Sequence, residues 1–340
     1  MNIDNQRARP LALTMGDPAG IGLDIAIAAW AQRQELPLFY LVGCPEAVQR
    51  RAERLGIPLE LTVVSPEQLA STRQTALQIV PLSSKVDETP GRTRRGDAAG
   101  VIEAIERAVE HVRTGIAGAV VTNPITKKSL YEDGFNYPGH TEFLGHLASK
   151  WFGQEVEPVM LMAGPDLRTV PVTVHIPVSD VPAALTKNRI VTVARTVDRD
   201  LRSQFGIQSP RIALAGLNPH AGEGGSMGQE DEQIIQPAVS DLIASGIDAR
   251  GPFPADTLFH AAARQQFDCV LAMYHDQALI PVKTLSFDKA VNVTLGLPFV
   301  RTSPDHGTAL DIAGKGIAKA DSLIEALKLA DLLAQNSIVE

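Results

Sequence analysis

The 340-residue chain is 44% hydrophobic and 21% charged, with 31 Lys and Arg against 39 Asp and Glu for a formal net charge of −8. This size and apolar share suit two α/β domains sharing one cleft, and the ordinary charged fraction excludes wholesale disorder. The acidic balance argues against nucleic acid or a membrane surface as partner, yet leaves room for a local basic pocket that takes a small anion.

The N-terminal MNIDNQRARP lacks the apolar stretch of a signal peptide, and no apolar run reaches the roughly 20 residues of a membrane helix. With two distant cysteines, Cys44 and Cys269, and no CxxC spacing, a reduced, cytoplasmic setting is expected. Residues 11–15 read as a strand, followed by the turn GDPAGIG at 16–22 and a helix over 24–32. A second strand at 38–42 and a second helix at 45–55 follow. Ile102, Ile105, Val109 and Val112 share one helical face, and that helix ends near Gly115. Further strands are expected at 119–122, 159–162, 170–175, 212–217, 270–274 and 291–295. Helices are expected at 180–205, with Ser179 as cap, and at 230–244, 256–265 and 321–335. Strands alternating with helices specify an α/β fold with a largely parallel sheet.

Of eight histidines (His111, His140, His146, His175, His220, His260, His275 and His306), three share one setting. His175 ends the apolar run 170–174, His220 follows 212–217 in Asn218-Pro-His, and His275 ends 270–274. Parallel strands present their C-termini at one sheet edge, where ligands bind, so three imidazoles there could meet at one ion. Imidazole ligation suits zinc, with magnesium or cobalt as alternatives, and leaves positions open for substrate. The competing reading is three separate histidines capping strands through backbone hydrogen bonds, and no HExxH motif speaks against it.

The glycine-rich segments 16–22 and 222–228 each lie between a strand and a helix. Neither is GxGxxG: Met227 stands where the third glycine of the second belongs, and no acidic residue follows at the expected distance. Tight turns account for these glycines, and close approach to phosphates is the functional alternative. Lys283, Asn292 and Arg301 form a polar set suited to carboxylate or phosphate, and Gly139-His140-Thr141-Glu142 adds donors before a helix. Residues 295–307, LGLPFVRTSPDHG, read as a shaped loop after an apolar strand.

The segments GDPAGIG, PGHTEFLG, TVHIPVSDV, LNPHAGEGG, FPADTLF, YHDQALIPVK and VNVTLGLPFVRTSPDHGTALDIAG resemble the 4-hydroxythreonine-4-phosphate dehydrogenase family of vitamin B6 biosynthesis, from about Leu11 to about Gly316. The resemblance implies a fold like isocitrate and isopropylmalate dehydrogenases, with two α/β/α lobes around a cleft, and not a Rossmann fold. The lobes are expected at 1–130 plus 285–340, and at 131–284 with the metal ligands and dimer interface. It implies metal ligands at His175, His220 and His275, and substrate contacts at His140, Thr141, Lys283, Asn292 and Arg301. It further implies NAD or NADP as hydride acceptor and a homodimer with the active site at the subunit interface, the third histidine coming from the partner chain.

The implied reaction oxidises 4-phosphooxy-L-threonine to 2-amino-3-oxo-4-(phosphooxy)butanoate, which decarboxylates to 3-amino-2-oxopropyl phosphate. Asp256, Asp276, Lys283 and a metal-bound water remain open as proton acceptor. Related enzymes act on threonate or erythronate 4-phosphate or on cyclic dihydrodiol carboxylates. A zinc hydrolase using the same histidines, and a phosphate-binding or acyltransferase module on a similar two-lobed fold, are the readings from other classes.

Overall fold

The computed structural model describes residues 9–69, 75–132, 135, 137, 139–153 and 155–337. They cluster into two compact units, one drawn from Met1–Glu157 and Leu297–Val339, the other from Pro158–Gly296. Residues 131–157, expected with the second lobe, group with the first unit, and 285–296, expected with the first lobe, group with the second.

In chain order the first unit runs β1 (Leu11–Thr14), α1 (Gly22–Ala31), β2 (Phe39–Gly43), α2 (Pro45–Leu55), β3 (Leu61–Val63), β4 (Leu77–Pro81), α3 (Ala98–Arg113), β5 (Val120–Val121), α4 (Lys127–Glu132) and α5 (His140–Phe152). The second unit contributes β6 (Val159–Ala163), β7 (Arg168–Pro171), α6 (Val181–Ala184), α7 (Lys187–Ser203), β8 (Arg211–Ala215), α8 (Gln236–Ala244), β9 (Asp248–Phe253), α9 (Ala255–Leu258), α10 (Ala261–Arg264), β10 (Cys269–Ala272), α11 (His275–Ser286) and β11 (Val291–Leu295). The chain then returns to the first unit with β12 (Arg301–Pro304) and α12 (Asp321–Asn336).

The first unit's strands lie in the order β3-β4-β2-β1-β5-β12, every pair parallel. This is not the 3-2-1-4-5-6 order of a Rossmann domain. All residues of β1 and β2 are buried, as a parallel sheet covered on both faces requires. In α3 the buried positions Val101, Ala104, Ile105, Ala108 and Val109 make one apolar stripe. Helix α2 shows how local sequence sets its ends: Pro45 supplies the first-turn φ, and Gly56 takes the left-handed C-terminal position at φ 66°.

The second unit's order is β11-β6-β7-β10-β8-β9. Strand β6 runs antiparallel to both β11 and β7, while β7, β10, β8 and β9 are mutually parallel. The helix expected over 180–205 is broken. Leu185 and Thr186 are extended, and Thr186 rather than Ser179 caps the long segment, its Oγ1 accepting from Arg189 N at 3.2 Å. The helix expected over 256–265 is likewise split into α9 and α10, with the His260 ring accepting from Ala263 N.

Strand β12 falls where the sequence suggested a loop. Arg301, Thr302, Ser303 and Pro304 are all buried, and two of their side chains are hydrogen-bonded inside: Thr302 Oγ1 donates to Ala326 O at 2.8 Å and Arg301 Nη2 to Thr122 Oγ1 at 2.6 Å. Alternation of apolar residues cannot reveal a strand whose buried groups are polar and hydrogen-bonded. Among the described residues no helix is long and apolar enough to cross a membrane.

Candidate active site

In the second unit β7, β10 and β8 are parallel neighbours in that order, so their C-termini share one edge. His175 lies four residues past Pro171 at the end of β7, His275 three past Ala272 at the end of β10, and His220 five past Ala215 at the end of β8. The His175 and His275 rings approach to 5.7 Å between centroids, at 44° between planes. His275 Nδ1 lies 2.7 Å from Asp276 Oδ1. A carboxylate only accepts, so Nδ1 carries the proton of this contact, and in the neutral ring Nε2 is left with the lone pair that could ligate. This engagement also gives Asp276, one candidate for the proton acceptor, an orienting contact. Among the described residues no group of three or more His, Cys, Asp and Glu is placed to hold a metal.

The loop bearing His220 is held in an uncommon backbone conformation. His220, Ala221 and Glu223 have φ of 53°, 51° and 41°, a region that side chains other than glycine rarely adopt. The buried carboxylate of Asp231 fixes it, accepting from Leu217 N at 2.9 Å, Asn218 N at 3.1 Å and Asn218 Nδ2 at 2.9 Å. The glycines of this segment serve that packing. A Cβ on Gly216 would lie 2.7 Å from Asp231 Oδ1, and one on Gly228 would lie 2.5 Å from Asn218 Nδ2. Gln277 links this loop to the His275 helix: Nε2 donates to Gly216 O and Oε1 accepts from Met273 N. Neither Asp231 nor Gln277 stood out in the sequence as a site residue, because their work is done on backbone groups of distant segments.

The first unit holds a different cluster. Arg301 opens β12, is 3% exposed, and donates from Nη2 to Thr122 Oγ1 at 2.6 Å. Burial lowers its pKa to about 10, so it stays charged near neutrality. His140 opens α5 beside Thr141, and Gly139 at the N-cap leaves the helix without a side-chain cap. The His140 Nε2 is shielded from solvent and has no hydrogen-bond partner. Burial, then the Arg301 and Lys127 charges, push the His140 pKa well below the ordinary imidazole value, so the ring is neutral. A buried guanidinium, a neutral ring and the free amides of a helix N-terminus make an anion-binding arrangement. Lys283, in α11, and Asn292, in β11, belong to the second unit, and Asn292 Oδ1 is buried without a partner.

The loop GDPAGIG adjoins this cluster through Asn123, the residue after Thr122. Asn123 Nδ2 donates to Thr14 O at 3.0 Å and Gly22 O at 3.2 Å, and Asp17 N donates to Pro124 O at 2.9 Å. Its glycines make room for the protein itself: a Cβ on Gly16 would lie 2.7 Å from Asn123 Cβ, and one on Gly20 2.9 Å from Thr308 Cβ. Beneath the loop the fully buried Arg51 pairs with Asp24 and Glu88 and donates to Gly20 O and Pro18 O at 2.8 and 2.7 Å.

A sequence profile described as pyridoxal phosphate biosynthetic protein PdxA matches residues 35–330. The chain belongs to the PdxA family. A 4-hydroxythreonine-4-phosphate dehydrogenase of Methylorubrum populi is 54% identical over 331 residues, covering 96% of this chain and 95% of its own. One from Bradyrhizobium diazoefficiens is 52% identical over 340 residues, covering 97% and 98%. The crystal structure of the Klebsiella pneumoniae 4-hydroxythreonine-4-phosphate dehydrogenase superposes with a TM-score of 0.87 at 38% identity, over 96% of this chain and all of that one. A branched-chain phosphotransacylase from Enterococcus faecalis, at TM-score 0.54 and 14% identity over 96% of this chain and 99% of its own, shares the fold alone. This chain's fold is thus a mostly parallel α/β fold that is not a Rossmann fold, consistent with its lack of a GxGxxG turn.

Proposed function

We propose that the chain oxidises 4-phosphooxy-L-threonine with NAD or NADP, giving 2-amino-3-oxo-4-(phosphooxy)butanoate, which loses CO2 to yield 3-amino-2-oxopropyl phosphate. The observation that carries this reading is the approach of His175 and His275 at the shared end of three parallel strands, in a chain more than half identical to relatives named for this activity. An imidazole donor set fits a divalent transition metal, zinc first and cobalt next, with the harder, oxygen-preferring magnesium as a further alternative. His175, His220 and His275 are its donors, with one of the three supplied by the partner of a homodimer. When bound, such an ion supplies Lewis-acid stabilisation of negative charge on the substrate's carbinol oxygen.

The chain's own groups do the positioning. Asp276 orients the His275 ring so that Nε2 is the donating nitrogen. Arg301, His140, Thr141 and the amides at the start of α5 bind the terminal phosphate, and Lys283 and Asn292 are the remaining substrate contacts. A neutral His140 can donate one ring proton to a phosphate oxygen without repelling Arg301. Helix α11 supports a dimer: it starts at His275 and exposes Ile280 at 61%, with Phe287 just beyond it at 74%, an apolar face that a second copy would cover beside the histidines. The protein is assigned to the cytoplasm.

Absorbance of NADH or NADPH, followed with 4-phosphooxy-L-threonine, threonate 4-phosphate, erythronate 4-phosphate and a dihydrodiol carboxylate, tests the reading. Reduction with the first substrate alone, lost on chelation and restored by metal, is the expected result. Turnover that needs no nicotinamide would instead indicate a hydrolase, and full activity after exhaustive chelation would remove the metal from the scheme.

A further inference from the structure

Lys127 opens α4 and its side chain reaches the N-terminus of α5. A Cβ built on Gly139 would lie 3.4 Å from Lys127 Cε and 3.5 Å from Nζ, so the absent side chain leaves the ammonium its place beside the helix end. Lys127 and Arg301 are the two charges that disfavour a proton on His140. Among the described residues Lys127 makes no salt bridge. Glu142 approaches the same point, its Oε2 3.3 Å from that Cβ, without pairing with the ammonium. The shielded, unpartnered Nε2 of His140 lies in the same cluster.

We propose that Lys127 is a further substrate-binding residue of this site, placing a second full positive charge on the terminal phosphate. The inference rests on the reading that seats the substrate phosphate at the start of α5. Arg301 and the helix end carry together roughly one and a half positive charges. A phosphate monoester near neutral pH carries roughly one and a half to two negative charges. The Glu142 carboxylate at the same helix end offsets one of these charges, so Lys127 restores the cluster to roughly one and a half positive charges, enough for the phosphate monoester and more than a carboxylate requires. Lys127 thereby makes the site selective for a phosphorylated substrate over its unphosphorylated or carboxylated analogue. Its flexible stem and compact ammonium suit a contact to one oxygen, complementing the planar fork of Arg301.

The test uses the full-length protein, with inorganic phosphate as the probe. Phosphate affinity is read from the His140 ring resonances, assigned with a His140→Gln variant, in wild type, Lys127→Met, Lys127→Arg and Arg301→Met. Lys127→Met is expected to weaken phosphate binding about 10- to 100-fold and to raise KM for the phosphorylated substrate by a similar factor, with kcat little changed. Lys127→Arg should recover most of both, and the thermal midpoint of either variant should match wild type, since the Lys127 side chain is exposed. If Arg301→Met weakens phosphate binding and Lys127→Met does not, the site stands and the role of Lys127 is overturned. If neither variant alters phosphate binding and the His140 resonances do not respond, the placement of the phosphate itself is wrong.

Discussion

Gln277 Nε2 donates to the carbonyl of Gly216 at 2.7 Å while its Oε1 accepts the Met273 amide at 2.7 Å. One side chain thus ties the end of β10, which leads to His275, to the end of β8, which leads to His220. Gln277→Glu keeps the acceptor and turns a carboxylate oxygen toward a carbonyl oxygen. The loss of a part-buried hydrogen bond plus that repulsion is expected to cost about 1–3 kcal/mol in urea unfolding. Metal affinity, followed by calorimetric titration, should fall about 10- to 100-fold, as for outer-shell partners elsewhere. Wild-type metal affinity in this variant would show that the link holds the fold and not the ligands.

Asp231 is the corresponding anchor for the His220 loop. It accepts three N–H groups from Leu217 and Asn218 and is 1% exposed. Asparagine has one acceptor oxygen, and its NH2 would face an amide donor. Asp231→Asn is expected to destabilise the chain by about 2–4 kcal/mol. It should also expose residues 216–228, where His220, Ala221 and Glu223 hold strained φ values, to proteolysis. Cleavage at wild-type rates would mean that the loop holds its shape without the carboxylate.

The three strand-end histidines were legible because apolar runs mark β7, β8 and β10, and parallel strands must end together. Their geometry was not. The 5.7 Å approach of His175 and His275 depends on β10 lying between β7 and β8, a neighbour order that no local pattern encodes. Strands β3 and β4 escaped notice as short segments of mixed polarity, and β12 because its buried residues are Arg, Thr and Ser. Strand β6 was expected, but its antiparallel direction was unreadable, since Val159–Ala163 is apolar whichever way it runs. Arg301 was legible as a cation of a shaped loop, but its burial, and the contact to Thr122 across 179 positions, come from tertiary structure.

Arg51 tests how the GDPAGIG loop is held. The guanidinium is fully buried, pairs with Asp24 and Glu88, and donates to two loop carbonyls. Arg51→Met keeps much of the volume but leaves two buried carboxylates facing each other, which is expected to cost about 3–5 kcal/mol. Arg51→Met combined with Asp24→Asn and Glu88→Gln should recover part of the loss in chemical denaturation. An absence of recovery would locate the penalty in the Pro18 and Gly20 carbonyls instead.

Asp97 gives the chain a pH dependence whose sign follows from its surroundings. The residue is 6% exposed. One oxygen accepts from Asp87 N at 2.8 Å, and the other is shielded without a partner. Burial raises its pKa from 3.8 to about 6; Arg94 opposes the shift and the Asp17 charge adds to it. The folded state therefore binds this proton more tightly than the unfolded chain. The resulting stabilisation is fully present below about pH 4 and is lost as the pH rises through about 6. At roughly 1.4 kcal/mol per pKa unit, about 1–3 kcal/mol is at stake. Asp97→Asn keeps an acceptor for Asp87 N and cannot ionise, so it should match wild type in urea unfolding at about pH 4 and exceed it at about pH 7.5. Parallel stability profiles for the two proteins across that range would show that Asp97 titrates alike in the folded and unfolded chains.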